Sequence, residues 1–458
     1  SVAVAFFGDG AMAQGTFHES VNLAAVWGAP VVFFCEHNGY AEFSAATDQH
    51  AGSLKRRARG YRLPYRRVDG NDVAAVTDAM EAVVASVRAG GGPVVVEART
   101  YRRHGHYEGD PQRYRTTDEV EAWDARDPLV LSAHRLRTAG VTDDELTDLA
   151  AQVGDELDRA VAAARELPEP PVTALFDFVT RPRPAFPSVD PVTPADDGEP
   201  PVFRTIDAVR SAPAAALASD PRVFVAGIDV GAGGNVFGIT RGLRDEFGDR
   251  VRDTPISESA IVGLGVGAAM AGLRPVVEIM YLDFLGVCLD QLLNQAAKLP
   301  YMTGGTAEMA LTVRTQLGAG RSSGSQHSQS LEALLAHIPG LTVVMPSTPA
   351  DTYGLLRAAI QDPNPVVFIE HRLLYGAKGP QPPPEHRVPI GRAAVVRPGT
   401  DVTVVSVSRM VHEALAAAET LATEGVSVEV IDLRTVSPPD TTTEVASGVK
   451  TGLLSVAH

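Results

Sequence analysis

The chain has 458 residues, enough for about three domains, and 45% of them are apolar, as in globular proteins with hydrophobic cores. Its 40 basic and 56 acidic side chains give a net charge of −16. Such a surface repels phosphate backbones, so we do not expect a nucleic acid partner. Two distant cysteines in apolar runs, Cys35 and Cys288, exclude a disulfide framework and fit a reducing cytoplasm. No uninterrupted apolar stretch reaches about 18 residues, so we expect no membrane span.

The first segment alternates short apolar strands with helices. Thr16, with Glu19 three residues later, has the spacing of a capping box at the start of a helix. Strands separated by helices are typical of a parallel sheet covered on both faces. The predicted elements are buried strands over 2–7, 31–35 and 94–100 and helices over 16–27 and 73–89.

The rest of the chain divides at two Pro-rich stretches. Residues 118–167 are charged and mostly helical, with a break at Asp127-Pro128. The stretch 181–201 has no periodicity and many Pro and Asp residues, so we predict an extended linker. A second break covers 379–389. Strands are predicted over 223–226, 276–280, 311–314, 342–345, 366–369, 402–407 and 426–431, and helices over 263–272 and 411–423. The pattern therefore indicates three sheet-containing α/β units.

Two polar residues follow the first two predicted strands. Asp9 comes where one strand ends, and Asn38 comes just after the other. A right-handed crossover places such strands near each other, with both carboxyl ends at the edge where α/β sheets bind ligands. Both side chains offer oxygen, as Mg²⁺ requires, and Gly8 and Gly10 allow close approach of a phosphate. A surface turn with an incidental Asp and a turn-forming Asn is the alternative.

A basic loop over 101–111 follows the strand 94–100, so it should lie at the same edge. Its Arg and His side chains could neutralise phosphate oxygens. A solvated surface loop is the alternative interpretation of the same residues.

These residues also carry a family resemblance. Gly8-Asp9-Gly10 followed by Asn38 resembles the thiamin diphosphate motif. Longer stretches resemble the alpha and beta subunits of the decarboxylating component of 2-oxo acid dehydrogenase complexes. The alpha-like stretches are 8–44, 101–115 and Trp123 with Asp127-Pro128, and the beta-like stretches are 253–258, 266–275, 326–329 and 364–367. The resemblance covers nearly the whole chain outside 181–201, which would join two subunits that are usually separate.

The resemblance implies an α/β fold of the thiamin diphosphate-binding type, with parallel sheets flanked by helices. The implied domains are an alpha-like diphosphate- and Mg²⁺-binding domain (1–180), the linker (181–201), a beta-like aminopyrimidine-binding domain (202–378) and a partial transketolase C-terminal-like domain (388–458). The chain begins and stops in what look like the middles of domains, and relatives continue beyond both points. We therefore expect this sequence to be a piece of a longer protein.

The resemblance also assigns site residues. Asp9, Asn38 and the backbone carbonyl of Tyr40 would bind Mg²⁺. Glu258 would hydrogen-bond the aminopyrimidine ring nitrogen, which favours burial of this carboxyl group. His106 and His327 would act with Glu258 at the reacting centre, where Tyr281, Asp283 and Phe284 would line the pocket. The implied cofactor-binding residues are Gly8, Asp9, Gly10, Ala11, Asn38, Tyr40, Arg102, His106 and Glu258. Read alone, a Glu such as Glu258 is more often a surface or capping carboxylate, and a His in a Ser/Gln-rich loop, such as His327, is more often a plain loop residue.

The implied activity is oxidative decarboxylation of a 2-oxo acid with thiamin diphosphate and Mg²⁺. The acyl group would pass to a lipoyl-bearing acyltransferase, and the fused chain would form a homodimer, with the site where the two halves meet. Acetoin cleavage or transketolase-like two-carbon transfer on the same scaffold is one alternative, and a non-catalytic dimerising fragment is another. His37 departs from the family, which usually has Asn beside the ligand position, and we expect metal binding to survive this change.

Overall fold

The computed structural model describes residues 1–186 and 202–458. They divide into two compact units, Ser1–Pro171 and Val172–His458. Most of the predicted linker, residues 187–201, lies outside the described residues, while Arg181 and Arg183 hydrogen-bond Asn364 and Asp362 within the second unit. Within the described part of the chain, no helix has the length and apolarity needed to cross a membrane.

The first unit is built on a four-stranded parallel sheet of order β1-β2-β6-β5. Phe33 and Cys35 of β2 pack with one layer of helices, α1 and α3, whereas Val32 and Phe34 face α4 on the other side. The strands are β1 (Ala3–Gly8), β2 (Val31–His37), β3 (Tyr40–Ala41), β4 (Ser44–Ala45), β5 (Tyr65–Asp69) and β6 (Val94–Arg99), and the helices are α1 (Gly15–Trp27), α2 (Ala46–Gln49), α3 (Leu54–Gly60), α4 (Val73–Arg88), α5 (Thr117–Asp124), α6 (Pro128–Thr138) and α7 (Asp143–Arg165).

Two predictions for this unit are wrong in detail. β1 was expected to be buried, but it lies at the edge of the described sheet, and Phe6 is 66% exposed. The capping box at Thr16 does not form, because a 3₁₀ turn over Asp9–Ala13 leads into α1 and makes Gln14 the N-cap residue, without a side-chain cap. The predicted break at Asp127-Pro128 is confirmed, since the Asp127 side chain caps α6 and Pro128 is its first residue.

The second unit contains two larger sheets and a two-stranded antiparallel pairing of β7 with β14, so the predicted α/β class with helix-flanked parallel sheets is confirmed. A seven-stranded sheet has the order β18-β12-β13-β11-β10-β8-β9, and only β18 runs antiparallel to its neighbour. A four-stranded sheet has the order β15-β17-β16-β19. The strands are β7 (Phe203–Arg204), β8 (Val223–Gly227), β9 (Val251–Asp253), β10 (Arg274–Glu278), β11 (Thr312–Leu317), β12 (Thr342–Val344), β13 (Val366–His371), β14 (Lys378–Gly379), β15 (Ala394–Arg397), β16 (Val402–Ser406), β17 (Val428–Asp432), β18 (Thr435–Ser437) and β19 (Leu454–Ala457).

The helices of the second unit cover both faces of the larger sheet. Two separate apolar clusters, one containing Ile261 of α10 and the other Leu355 of α13, fill the space between helices and sheet. The helices are α8 (Thr205–Ser219), α9 (Leu243–Phe247), α10 (Glu258–Met270), α11 (Leu299–Met302), α12 (Glu332–Ala336), α13 (Pro349–Gln361), α14 (Arg409–Ala422) and α15 (Thr441–Thr451).

A buried ionic network links three neighbouring strands of the larger sheet. Arg314 of β11 donates from Nη1 to Glu278 of β10 at 2.9 Å and from Nε to Glu370 of β13 at 2.7 Å. Tyr375 donates to the same Glu370 carboxylate at 2.8 Å. All of these side chains are almost fully buried. Burial raises the pKa of Glu278 although Arg314 opposes this effect, so the guanidinium stabilises two carboxylates that would otherwise repel each other.

Replacing Arg314 by Leu should lower the free energy of unfolding by about 3–5 kcal/mol, because it leaves two buried carboxylates without their cation. Urea unfolding followed by circular dichroism measures this loss. The matched control is Arg222→Leu, which removes an exposed pair with Asp220 and should cost about 1 kcal/mol or less. Equal effects of the two variants would contradict the importance of the network.

Candidate functional site

The structure brings Asp9 and the loop containing Asn38 together, as their positions after adjacent strands predict. β1 and β2 pair in parallel, with Gly8 opposite Glu36. Just beyond this pair, the backbone N–H of Gly39 donates to Asp9 Oδ2 at 3.0 Å. Asp9 is only 1% exposed. The edge of the sheet therefore holds a buried carboxylate against the loop that follows β2.

The loop is shaped by its own polar groups and by glycine. The backbone N–H of Tyr40 donates to Asn38 Oδ1 at 3.0 Å, and Gly39 has φ +91°, in the left-handed region that favours glycine. A Cβ on Gly10 would lie 2.8 Å from the Ala41 Cβ, so the turn after β1 approaches this loop too closely for any side chain. The buried Tyr40 ring is fixed by a hydrogen bond from its hydroxyl to Glu119 at 2.8 Å.

His37 connects the Asp9 carboxylate to a second buried acid. Its Nε2 lies 3.6 Å from Asp9 Oδ2, and its Nδ1 lies 2.7 Å from Glu97 Oε1. Tyr65 also donates a hydrogen bond to Glu97. Burial disfavours the charged form of Glu97, but hydrogen bonds from His37 and Tyr65 outweigh it and lower its pKa to about 2. Glu97 is therefore an ionised anchor for the His37 ring beside the Asp9 site.

The residues at this edge fit a magnesium ion. Asp9 Oδ1 is buried and has no hydrogen-bond partner, an arrangement that is costly unless another group binds it. Asp9, Asn38 and a backbone carbonyl would offer three oxygens, the atom type that Mg²⁺ prefers. Over residues 1–186 and 202–458, no group of three or more His, Cys, Asp and Glu side chains could hold a metal ion.

A cavity of about 770 Å³ lies beside this loop, which is within the usual range for ligand sites. Asn38, Gly39 and Tyr40 form part of its wall, and three basic side chains of the lining, Lys55, Arg67 and Arg99, outnumber its two acids, Glu97 and Glu119. An anionic ligand would be attracted to this lining.

The predicted basic loop is folded around Asp110. The Asp110 carboxylate accepts the backbone N–H of His106 at 2.8 Å and the hydroxyl of Tyr114 at 2.8 Å. A Cβ on Gly105 would lie 2.5 Å from the Asp110 Cβ, so glycine is required there. Arg102 donates to the Tyr114 hydroxyl at 2.8 Å and lies 3.3 Å from His106 Nδ1. The structure thus groups Arg102 with the exposed His106, and Asp110 is the organising residue that sequence reasoning missed.

Glu258 is the first residue of α10, which begins five residues before the predicted helix 263–272. Its side chain is only partly buried within the second unit, whereas the sequence led us to expect burial. A carboxylate in the first turn interacts favourably with the positive end of the helix. Farther along α10, a Cβ on Gly265 would lie 2.7 Å from Leu311 Cδ1, so this helix packs too closely on its neighbours for a side chain at that position.

His327 belongs to an aromatic cluster that contains the predicted pocket residues. Its ring meets Tyr281 edge-on, with centroids 4.8 Å apart, and Phe284 at 5.3 Å. Asp283 accepts hydrogen bonds from the backbone and side chain of Gln329, two residues after His327. The structure therefore brings Tyr281, Asp283 and Phe284 to the His327 loop.

Sequence reasoning missed Arg372, which follows β13 at the same cluster. Arg372 is 7% exposed, and its guanidinium lies 5.3 Å from the centre of the Tyr281 ring. One nitrogen donates to Ser323 Oγ at 3.1 Å, but Nη1 is buried without a hydrogen-bond partner. Its place just after the predicted strand 366–369 was the available signal, since that position lies at the carboxyl edge of the sheet.

Comparisons with known proteins agree with this fold and site. The chain matches three family models: the dehydrogenase E1 component over residues 1–173, the transketolase pyrimidine-binding domain over 202–378 and the transketolase C-terminal domain over 391–458. Solved transketolases share the fold: that of Campylobacter jejuni has a TM-score of 0.65 at 15% identity, over 99% of this chain and 69% of its own. These features define a thiamin diphosphate-dependent enzyme with a transketolase-like fold.

Sequence relatives show to which family of thiamin diphosphate-dependent enzymes the chain belongs. The beta subunit of acetoin:2,6-dichlorophenolindophenol oxidoreductase from Cupriavidus necator is 50% identical over 250 residues, which are 52% of this chain and 74% of that protein. The 2-oxoisovalerate dehydrogenase beta subunit of Bacillus subtilis is 46% identical over 55% of this chain and 77% of its own length. The pyruvate dehydrogenase E1 beta subunit of Bacillus subtilis is 45% identical over 54% and 77%. The chain belongs to the 2-oxo acid dehydrogenase E1 family, and its alpha-like stretch precedes its beta-like stretch.

The Glu97 anchor predicts a pH-dependent stability. A carboxyl group whose pKa is lowered on folding stabilises the protein above its unfolded pKa, and this stability is lost as the pH falls through the folded pKa. Glu97→Gln should therefore lower the free energy of unfolding at pH 7 by on the order of 3 kcal/mol. The difference from wild type should shrink as the pH falls from 4.5 to about 2. Denaturant unfolding across this range, with the exposed Glu81→Gln as the control, measures it, and a difference independent of pH would contradict the assignment.

Proposed function

We propose that this protein catalyses the oxidative decarboxylation of a 2-oxo acid with thiamin diphosphate and Mg²⁺. The observation that carries the proposal is the buried, unpartnered Oδ1 of Asp9, held beside Asn38 and Tyr40 by the Gly39 hydrogen bond. A cation would satisfy this oxygen, and the family to which the chain belongs uses a diphosphate cofactor whose charge the same cation would neutralise. Relatives named for 2-oxoisovalerate and pyruvate support the substrate class.

The first unit would hold the diphosphate end of the cofactor. Asp9 and Asn38 would bind Mg²⁺ through side-chain oxygens, and Tyr40 would bind it through its carbonyl. The turn Gly8-Asp9-Gly10-Ala11 would lie against the diphosphate, since Gly10 already permits a close backbone approach to the neighbouring loop. Arg102 and His106, grouped by the Asp110 turn, would donate hydrogen bonds to phosphate oxygens.

The second unit would supply the residues that act on protons. When bound, thiamin diphosphate supplies the nucleophilic carbon and the electron sink that this decarboxylation needs. Glu258 would share a proton with a ring nitrogen of the aminopyrimidine. His327, oriented by Tyr281 and Phe284, would donate a proton to the keto oxygen of the substrate.

Arg372 would bind the substrate carboxylate. It is a buried cation with an unpartnered Nη1 at the His327 cluster, and a planar guanidinium suits bidentate recognition of a carboxylate. A bound substrate carboxylate would explain why the Arg372 guanidinium is buried although none of the described carboxylates pairs with it.

Acetoin is a second candidate substrate, because the relative that is 50% identical is named for acetoin. Two-carbon transfer of the transketolase type has weaker support, since the likeness to transketolases, at 15% identity, shows the fold alone. A non-catalytic scaffold would not need the unpartnered Asp9 oxygen or the unpartnered Arg372 nitrogen, which cost stability without a ligand.

The proposal also includes two partners. The acyl group would pass to a lipoyl-bearing acyltransferase, because relatives are named as subunits of an E1 component. The chain would pair with a second copy of itself as a homodimer.

Asp9→Asn should weaken the Mg²⁺-dependent binding of thiamin diphosphate by at least about tenfold. Substitution of residues that only support metal ligands already costs about tenfold to 100-fold in metal affinity. Asn can still accept the Gly39 N–H, so the loop should keep its fold while the charge is lost. Calorimetric titration of the full chain with the cofactor, with and without Mg²⁺, measures the change. The exposed Asp48→Asn is the matched control, and an unchanged affinity of Asp9→Asn would remove Asp9 from the metal site.

Glu258→Gln should bind thiamin diphosphate with near wild-type affinity but lose at least about 100-fold in turnover, because the amide cannot exchange the proton. The assay offers pyruvate, 3-methyl-2-oxobutanoate and acetoin with 2,6-dichlorophenolindophenol as electron acceptor. Turnover of a 2-oxo acid by the wild type supports the first candidate, and turnover of acetoin alone supports the second. The exposed Glu419→Gln is the control. A Glu258→Gln variant with full turnover would exclude the proposed role.

A further inference from the structure

The second unit contains a cavity that the proposed function does not use. Its volume is about 330 Å³, at the lower end of the range for ligand sites. It lies at the start of α13, and its wall continues through the segment 377–380 and through β15. His386 and Arg434 supply polar groups to this wall.

Two hydrogen-bond donors in the wall have no acceptor. His386 is 5% exposed, and its ring faces the Ala350 carbonyl without meeting hydrogen-bond geometry, so neither ring nitrogen is satisfied. Arg434 donates from Nη2 to Asp351 at 2.7 Å, but its buried Nε has no partner. Buried polar groups in native proteins nearly always have partners, so a ligand for this cavity should bring acceptor atoms.

The charges around the cavity favour an anion. Asp351 is paired with Arg434, and burial together with Asp351 raises the pKa of the neighbouring Asp432 to about 7. The exposed Lys378 adds a positive charge at the rim. The N-terminus of α13, a helix of 13 residues capped by Thr348, adds partial positive charge. His412, the other histidine in the wall, uses Nε2 for a contact of 2.9 Å with the Ser347 carbonyl.

The remaining wall is apolar. Pro349, Val388, Val395 and Val396 line the cavity. Val388 is buried, whereas Val395 is 44% exposed at the edge strand β15, so apolar surface continues from the interior to the mouth. A ligand that fills this space should therefore have a short apolar body as well as its anionic group.

We propose that this cavity binds a small aliphatic carboxylate. The carboxylate accepts hydrogen bonds from His386 and from Arg434 Nε, and the alkyl chain packs against Val388 and Val395. A neutral alcohol of the same length gains less, because it brings a single oxygen for two donors. An alkyl amine is repelled by Lys378 and brings no acceptor when protonated.

The test is calorimetric titration of the full chain with sodium hexanoate, in the absence of thiamin diphosphate. Binding with a dissociation constant of about 1 mM or tighter is expected, and hexan-1-ol and hexylamine should bind at least about tenfold more weakly. No heat of binding, or equal binding of the alcohol, would overturn the proposal and would indicate that water satisfies the two donors. Since no cofactor is present, either failure leaves the proposed catalytic function unaffected.

Two variants locate the binding site. Val395→Trp should block the mouth, and His386→Phe should remove the ring N–H donor while keeping an aromatic shape, so each should weaken hexanoate binding at least about tenfold. Val449→Trp, at a position that is 80% exposed on α15, is the control for a surface tryptophan and should bind normally. Circular dichroism confirms that the variants are folded. Hexanoate binding that persists in Val395→Trp would place the ligand elsewhere, for example at Arg372, and would overturn the proposal.

Discussion

The hydrogen bond from the Gly39 N–H to Asp9 Oδ2 is the contact on which the candidate metal site depends. The parallel register of β1 and β2 brings the two strand ends level, so the turn after one strand meets the loop after the other. This contact uses one carboxylate oxygen and leaves Oδ1 buried and unpartnered. Backbone pairing therefore determines both where the carboxylate lies and which of its atoms remains available to a cation.

A comparable arrangement positions the catalytic candidates of the second unit. Arg314 joins Glu278, the last residue of β10, to Glu370 near the end of β13. Gln316 of β11 donates to the Met280 carbonyl at 2.7 Å, directly before Tyr281. These bonds fix the strand ends after which Tyr281, which contacts the His327 ring, and Arg372, which contacts the Tyr281 ring, follow. The buried charges thus orient the side chains at the edge of the sheet, which is a structural reason for keeping an ionic network in an apolar core.

Most of the sheet framework could be predicted from the sequence, because buried parallel strands are continuous apolar runs. β2, β6 and α4 lie where the pattern placed them. β5 was missed because Tyr65–Asp69 contains three charged residues in five, and an edge strand need not be apolar on both faces. The exposure of β1 was also unpredictable, since its apolar sequence does not reveal which strands flank it.

The functional side chains could also be predicted only in part. Asp9 and Asn38 could be predicted because strand topology alone places them at one edge. Arg372 and His386 could not, because their distinguishing property is the lack of a partner, which depends on every neighbour in the fold. A buried donor without an acceptor costs about 1–3 kcal/mol, and a native structure keeps it only where a ligand or an ordered water offsets that cost. Where such groups line a cavity, as Arg434 and His386 do, they mark a candidate ligand site that sequence motifs do not reveal.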